Sequence, residues 1–381
     1  MDESKLKRFR EELPVTESLA YLNHAAIGPL PRRAVRRMAE MAEDVSRTGD
    51  QHWADRNQII EETRGLAARL LGALDPREVS FCENTSTGLS MVAEGFTDWQ
   101  PGDNVIGAAQ DFPSNVYPWM QLADYGVEYR RVEERDGRVD DDEVLSLIDD
   151  RTRMVALSWV QYASGYRCNL ARIGEACRER GALFVVDVIQ GLGGLALDVE
   201  RDRIDVAVGS AHKWLLGPEG IGLLYISDRV LERLRPTRAG WRSMRNMIGW
   251  TDLRIDFNEG AKRFESGTLN AYGIAALGAS LEILLEAGMD EVERRVLALT
   301  QRAADGLAER GFAVISSRAP GETSGIVTAV HPERSAEDLV KILAERGVGV
   351  AVRAGRFRVS PHFYNTEEEV DRMLAEVDGL G

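Results

Sequence analysis

The chain has 381 residues, 44% of them hydrophobic and 29% charged, and its 47 Lys and Arg against 62 Asp and Glu leave a formal charge of −15. That mixture supplies a large core and a solvated surface, which excludes a disordered chain, and the acid excess argues against nucleic acid or an anionic membrane as partner. No run of about 18 apolar residues occurs, and the charged first residues lack an apolar signal core, so a soluble, cytoplasmic protein is expected.

In chain order, residues 31–45 and 58–74 carry apolar residues at three- and four-residue spacing and are expected to be amphipathic helices. Short apolar runs at 104–108, 154–159, 183–188, 206–208 and 222–226 read as buried strands, with helical stretches such as 170–180 between them. The alternation implies an α/β fold with a mainly parallel sheet covered on both faces. Beyond about residue 270 long helices at 273–287 and 290–310 precede short strands at 325–330 and 357–360, with helices at 337–346 and 367–377. The expected organisation is a large α/β domain over 21–265 and a smaller α+β domain built from 1–20 and 266–381. Cys82, Cys168 and Cys177 are too few and too scattered for a secreted disulfide framework.

The stretch from Leu183 to Ile226 is the richest in chemistry. In an open α/β sheet ligands bind beyond the carboxyl ends of the strands, and here Asp187 ends one expected strand while Ser210, His212 and Lys213 follow another. Lys213 is not a phosphate-loop lysine, because GxxxxGK[ST] is absent, and the Ser210-x-x-Lys213 spacing lacks the companion motifs of a serine acylase. The reading that remains is a Schiff-base lysine on the aldehyde of pyridoxal 5′-phosphate, with Asp187 at the pyridinium nitrogen. A nicotinamide dehydrogenase fails because Gly191-x-Gly193-x-x-Ala196 is not followed by a long amphipathic helix. The five histidines show no paired-ligand spacing, so no metal is expected.

With Tyr21 to Ala26, the block from Val185 through Lys213 to Tyr225, and Arg358 to Ser360, the chain resembles the class V aminotransferase family of fold-type I pyridoxal phosphate enzymes. That family includes cysteine desulfurases, kynureninases and isopenicillin N epimerases. The resemblance implies a seven-stranded large-domain sheet and a homodimer with a shared active site. Carried over residue by residue, it makes Lys213 and Asp187 catalytic. It places Gln190 at the phenolic oxygen of the cofactor, and Ser210, His212 and the Thr85, Ser86, Thr87 turn at its phosphate. A helix start, where backbone N–H groups point at an anion, suits that last role. Phe112 would stack on the ring with Tyr162 near it, Trp241 and Thr268 would reach the neighbouring subunit's cofactor, and Arg358 would fork onto the substrate carboxylate, with Arg353 or Arg356 as substitutes. Asn23 and His24 are expected to help recognise the substrate side chain.

Desulfurases of this family place a nucleophilic cysteine shortly before the arginine that corresponds to Arg358. Here that loop is short and no cysteine follows Cys177. The reading carried forward is therefore an aminotransferase acting on an amino acid. Its alternative is a carbon–sulfur lyase resembling the desulfurases, or an epimerase resembling isopenicillin N epimerase. His212 stands where kynureninases carry a tyrosine, which counts against kynureninase chemistry.

Overall fold

The structure, a computed structural model, describes residues 1–247, 251 and 253–378. The tail of the expected 266–381 segment, 379–381, lies outside the described residues. The large sheet contains β1 (Val79–Cys82), β2 (Asn104–Ala108), β3 (Glu128–Val132), β4 (Thr152–Ser158), β5 (Leu183–Asp187), β6 (Val206–Ser210) and β7 (Gly222–Ile226). Their spatial order is β1-β7-β6-β5-β4-β2-β3. Only β7 runs antiparallel to its neighbours, β1 and β6; the other pairings are parallel. Five of the seven match apolar runs visible in the sequence. The two others are edge strands: β1 is four residues long, and β3 is the charge-rich Glu-Tyr-Arg-Arg-Val, half open to solvent.

Helices cover both faces. Apolar side chains from alternate positions of one strand enter different cores: in β5, Phe184 and Val186 join one cluster, and Leu183 and Val185 the other. Among these helices are α1 (Arg32–Thr48), α2 (Trp53–Leu71), α3 (Thr85–Gly95) and α4 (Leu170–Arg180). Side-chain caps start α3 and α4: Asn84 accepts from Thr87 N–H at 2.9 Å, and Asn169 from Arg172 N–H at 3.2 Å. Past the expected boundary, α5 (Ala271–Ala287) packs on α1 and α2. It is apolar over most of its circumference, broken by Glu282 and Glu286, which pair with Arg33 and Arg37, and Ile274, Leu277, Leu281 and Leu284 belong to the core under the large sheet.

The smaller sheet orders β8 (Ala313–Val314), β9 (Val327–Val330), β10 (Ala351–Arg353) and β11 (Arg356–Val359) as β8-β9-β11-β10, all antiparallel, backed by α6 (Met289–Glu309) and two further helices. The N-terminal segment ties the two sheets together. Ala20 and Tyr21 pair in parallel with Val348 and Gly349, Ser360 N–H donates to Leu22 O at 2.7 Å, and Gly28 N–H donates to His212 O at 2.7 Å. Among the described residues, no single helix is long and apolar enough to cross a membrane.

Candidate active site

β5 and β6 are parallel neighbours, so Asp187 and the Ser210–Lys213 turn emerge at one rim. There they line a cavity of about 270 Å³ together with Thr85, Ser86, Phe112, Tyr162, Gln190, His212 and Arg358. The turn is held from the N-terminal side at a distance only glycine permits: a Cβ on Gly28 would stand 2.1 Å from Lys213 O. The N-terminus of α3 is locked to the end of β6, because Ser210 Oγ accepts from Thr85 N–H at 2.8 Å and Ser210 N–H donates to Thr85 Oγ1 at 3.0 Å. Ser86 Oγ meets Ser114 Oγ at 2.7 Å. The result is a hydroxyl-lined helix start facing the cavity, a ready anion site.

Asp187 Oδ1 accepts from Ile189 N–H at 2.9 Å, while its Oδ2 is buried with no partner. Burial, followed by the nearby Asp111 carboxylate, pushes the Asp187 carboxyl up. Burial pulls the Lys213 ammonium down, and repulsion from Arg358 and Arg353 adds to it against the pull of Asp187. A larger share of neutral amine results, which is the nucleophilic and basic form. Lys213 Nζ lies 5.5 Å from the Phe112 ring centroid, and Tyr162 meets that ring edge-on at 5.3 Å. Arg358 is fully buried and donates Nη1 to Tyr162 O at 3.0 Å, leaving Nε and Nη2 unpaired. Burial brings its pKa down to about 9, with repulsion from Arg353 adding to the shift.

Five expected residues lie elsewhere. Thr87 turns its N–H and hydroxyl to Asn84 Oδ1, so it caps α3 and does not line the cavity. His24 is buried behind the cavity wall with Nε2 2.7 Å from Tyr364 Oη and Nδ1 3.0 Å from Ser360 O; its neighbours Ala25 and Ala26 line the cavity instead. Asn23 bridges to Ser360 and keeps Oδ1 buried without a partner. Trp241 lines a separate apolar hollow of about 420 Å³ with Leu253 and Ile255, and Thr268 a small one of about 100 Å³ beside Cys82. Gln190 does line the cavity, with its amide engaged: Nε2 donates to Ala25 O at 3.1 Å and Oε1 accepts from Trp214 Nε1 at 3.1 Å.

Asp111 received no role from the sequence. It is buried, binds Ser158 Oγ at 2.6 Å and Phe112 N–H at 2.7 Å, and so sets the Phe112 backbone as well as raising Asp187. Its signal was its place just past the carboxyl end of β2, the same rim that carries Asp187. Arg353, named only as a substitute, also lines the cavity.

The family model Aminotransferase class-V matches residues 20–373. A cysteine desulfurase from Cronobacter sakazakii is 30% identical, with 97% of each chain covered. The solved cysteine desulfurase from Thermococcus onnurineus NA1 is similar at TM-score 0.90 and 26% identity, over 98% of this chain and 97% of that one. The cystine C–S lyase C-DES, solved with its reaction product cysteine persulfide, gives TM-score 0.89 and 26% identity over 96% of this chain and 98% of that one. A lysine-to-alanine variant of C-DES holds glycine covalently linked to its PLP cofactor.

Proposed function

Because the chain belongs to the class V aminotransferase family, we propose that it is a carbon–sulfur lyase that eliminates sulfur from Cβ of an amino acid. The aminotransferase reading carried forward from the sequence gives way here. That word is the family's name, whereas relatives matched along nearly their whole length include desulfurases and a cystine lyase.

The cofactor is pyridoxal 5′-phosphate, and the residues fit it. Asp187 Oδ2 is a buried acceptor with nothing to accept from, Lys213 is a buried amine, and the α3 N-terminus with Ser86 and Ser210 suits a phosphate. Bound there, the cofactor supplies an electron sink for the pair released at Cα. Asp187 would keep a proton on the ring nitrogen, and its raised affinity for protons suits a group sharing one with a heterocycle. Phe112 offers a π face. Arg358, with two free N–H donors, would hold the α-carboxylate. Lys213 Nζ, whose proton affinity burial lowers, would take the α-proton, after which the Cβ–S bond breaks and its electron pair leaves with sulfur.

The observation that carries this reading is where the thiols are. Cys82, Cys168 and Cys177 are all buried and none lines the cavity. Burial pushes the Cys82 thiol up to about 12 and Cys168 well above its usual value. No thiolate stands ready to take sulfur onto the protein, so sulfur departs on its own leaving group. With L-cystine and one water, the products are cysteine persulfide, pyruvate and ammonia.

The test is turnover of L-cystine and L-cysteine without a keto acid, followed by pyruvate release and mass spectrometry of the protein. Continuous pyruvate and soluble persulfide from cystine, with the protein mass unchanged, is the expected result. One equivalent of keto acid per site, then arrest until an acceptor keto acid is added, would mark a transaminase. A persulfide on a cysteine with release of alanine would mark a desulfurase of the usual kind. The same reading includes a homodimer, in which Trp241 and Thr268, lining other hollows of their own chain, serve the cavity of a second copy.

A further inference from the structure

The turn that carries Lys213 sends two side chains to opposite sides of the cavity wall. Lys213 lines the cavity; Trp214, the next residue, does not, and its indole is buried. Glycine makes room for that ring from two directions. A Cβ on Gly194 would stand 2.7 Å from its Cε3, and one on Gly325, from the segment that leads into β9, 2.3 Å from its Cη2. Close-packed interiors do not hold side chains at such distances, so the indole has one seat. Its backbone is pinned as well. Trp214 O can only accept, so its 2.9 Å contact with His362 Nε2 puts a proton on that nitrogen, and Phe363 N–H, donating to His362 Nδ1 at 2.8 Å, agrees.

The seated ring decides which way a neighbouring amide faces. Indole Nε1 can only donate, and a backbone carbonyl can only accept. Gln190 must therefore turn Oε1 to Trp214 Nε1, at 3.1 Å, and Nε2 to Ala25 O, at 3.1 Å. The reversed amide would set donor against donor at one end and oxygen against oxygen at the other. The two partners lie on different sides of the wall. Ala25 lines the cavity with Gln190, whereas Trp214 stands behind it. The oxygen end of the amide thus points into the protein, and the nitrogen end stays at the cavity side. That nitrogen carries two hydrogens. Ala25 O is the one acceptor it meets among the described residues, so the second hydrogen is unspent.

We propose that Trp214 is a positioning residue: by holding the oxygen of Gln190 it keeps an amide N–H turned to the cavity, where that N–H is donated to the phenolic oxygen of the cofactor. The inference rests on the cofactor and not on the carbon–sulfur lyase reading. A donor on the phenolic oxygen draws electron density from it and loosens the proton that this oxygen shares with the nitrogen of Lys213. Asp187, Arg353, Arg358 and His212 also face Lys213, and a change at Trp214 or Gln190 leaves all four in place.

The experiment is a pH titration of the visible band of the holoenzyme, without substrate. Trp214→Phe removes the donor. Trp214→His gives up a similar volume but can set Nε2 where the indole nitrogen stood. In Trp214→Phe the midpoint should rise by about one pH unit, a tenfold gain in proton affinity and the order of one hydrogen bond to a charged oxygen. Trp214→His should restore most of it, and Trp214→Phe should add nothing once Gln190→Leu has removed the amide. If Trp214→Phe fails to fold, 3-benzothienylalanine at position 214, which exchanges the N–H for sulfur at nearly constant shape, should give the same rise. An unchanged midpoint without the donor, equal shifts from phenylalanine and histidine, or an undiminished shift in the Gln190→Leu background each overturn the proposal. With no substrate present, a transaminase outcome in the turnover test leaves these midpoints as they are, so the two readings fail separately.

Discussion

Two clusters of buried charge border the large sheet, one of them reaching Arg358 on the smaller sheet, and they are finished to different degrees. Around Arg64 the guanidinium donates to Glu265 Oε1 at 2.8 Å, to Val79 O at 2.6 Å and to Glu61 at 3.1 Å, while Arg242 Nε reaches Glu265 Oε2 at 3.4 Å. No polar side-chain atom of Arg64, Arg242 or Glu265 is buried without a partner. At Lys213, Asp187 and Arg358 three buried polar atoms meet nothing. The two buried arginines respond oppositely. Burial pulls both down, but Glu265 and Glu61 more than offset it for Arg64, whereas Arg358 has only cationic and tyrosine neighbours. An unpaired charge inside a protein costs several kcal/mol. Closed clusters brace a fold, and open ones are kept for what will fill them.

Breaking each cluster should therefore have opposite consequences. Lys213→Ala should lower turnover by ~10⁴-fold, about 5.5 kcal/mol in the barrier, and abolish the visible band of the bound cofactor, without lowering the melting temperature of the apoprotein. Pyruvate assays, absorption spectra and calorimetry check it, and retained turnover would remove Lys213 from the mechanism. Glu265→Ala takes from Arg64 its one buried carboxylate and leaves only the exposed Glu61 and the Val79 carbonyl, so urea unfolding should show a loss of roughly 3–5 kcal/mol. A loss below about 1 kcal/mol would mean that Arg64 finds another partner, and the closed cluster would not be the brace inferred here.

The smallest effect is set by pH. His362 lies in the wall between the clusters' domain and the smaller sheet, with Nε2 2.9 Å from Trp214 O, and burial holds its pKa down at about 4. An unfolded histidine takes up its proton near pH ~6.5, so between that pH and about 4 the unfolded state binds more protons than the folded one. Stability is full above that window and falls through it as pH drops, by roughly 3 kcal/mol from this residue. His24, held well below its usual value by burial and by His362, adds to the same slope. Unfolding of His362→Gln across that range should show a flatter dependence than the parent.

How much of this could be read in advance depended on whether a signal was local. Asp187 and Lys213 were legible because each follows a continuous apolar run, and such runs become central parallel strands whose carboxyl ends share a rim. β3 was not, since an edge strand tolerates charge and its Arg130 and Arg131 look like loop residues. Helix α5 was visible as a helix, yet its mostly apolar surface, which places it in the large core, marks burial without naming a partner. At the site, Phe112, Ser210 and Arg358 carried motif context. The fate of His24 did not: its ring bonds residues 336 and 340 positions away in the chain, contacts that no window of sequence contains. Arg353 and Arg356 looked equivalent until Glu134 claimed one of them.

That long reach of the N-terminal segment has a consequence in time. Residues 20–28 leave the ribosome early, but the strand and carbonyls they pair with, at 348–349 and 360, are made more than 300 residues later. At about 5–20 residues per second that is a wait of roughly 15–70 s. Through that interval the wall formed by Ala25 and Ala26 has only the large-sheet rim and not the smaller sheet to lean on, although Lys213 and Asp187 are already made. The cofactor's cavity therefore waits on residues 348–360, made well over a hundred residues after the lysine and aspartate that give it its chemistry.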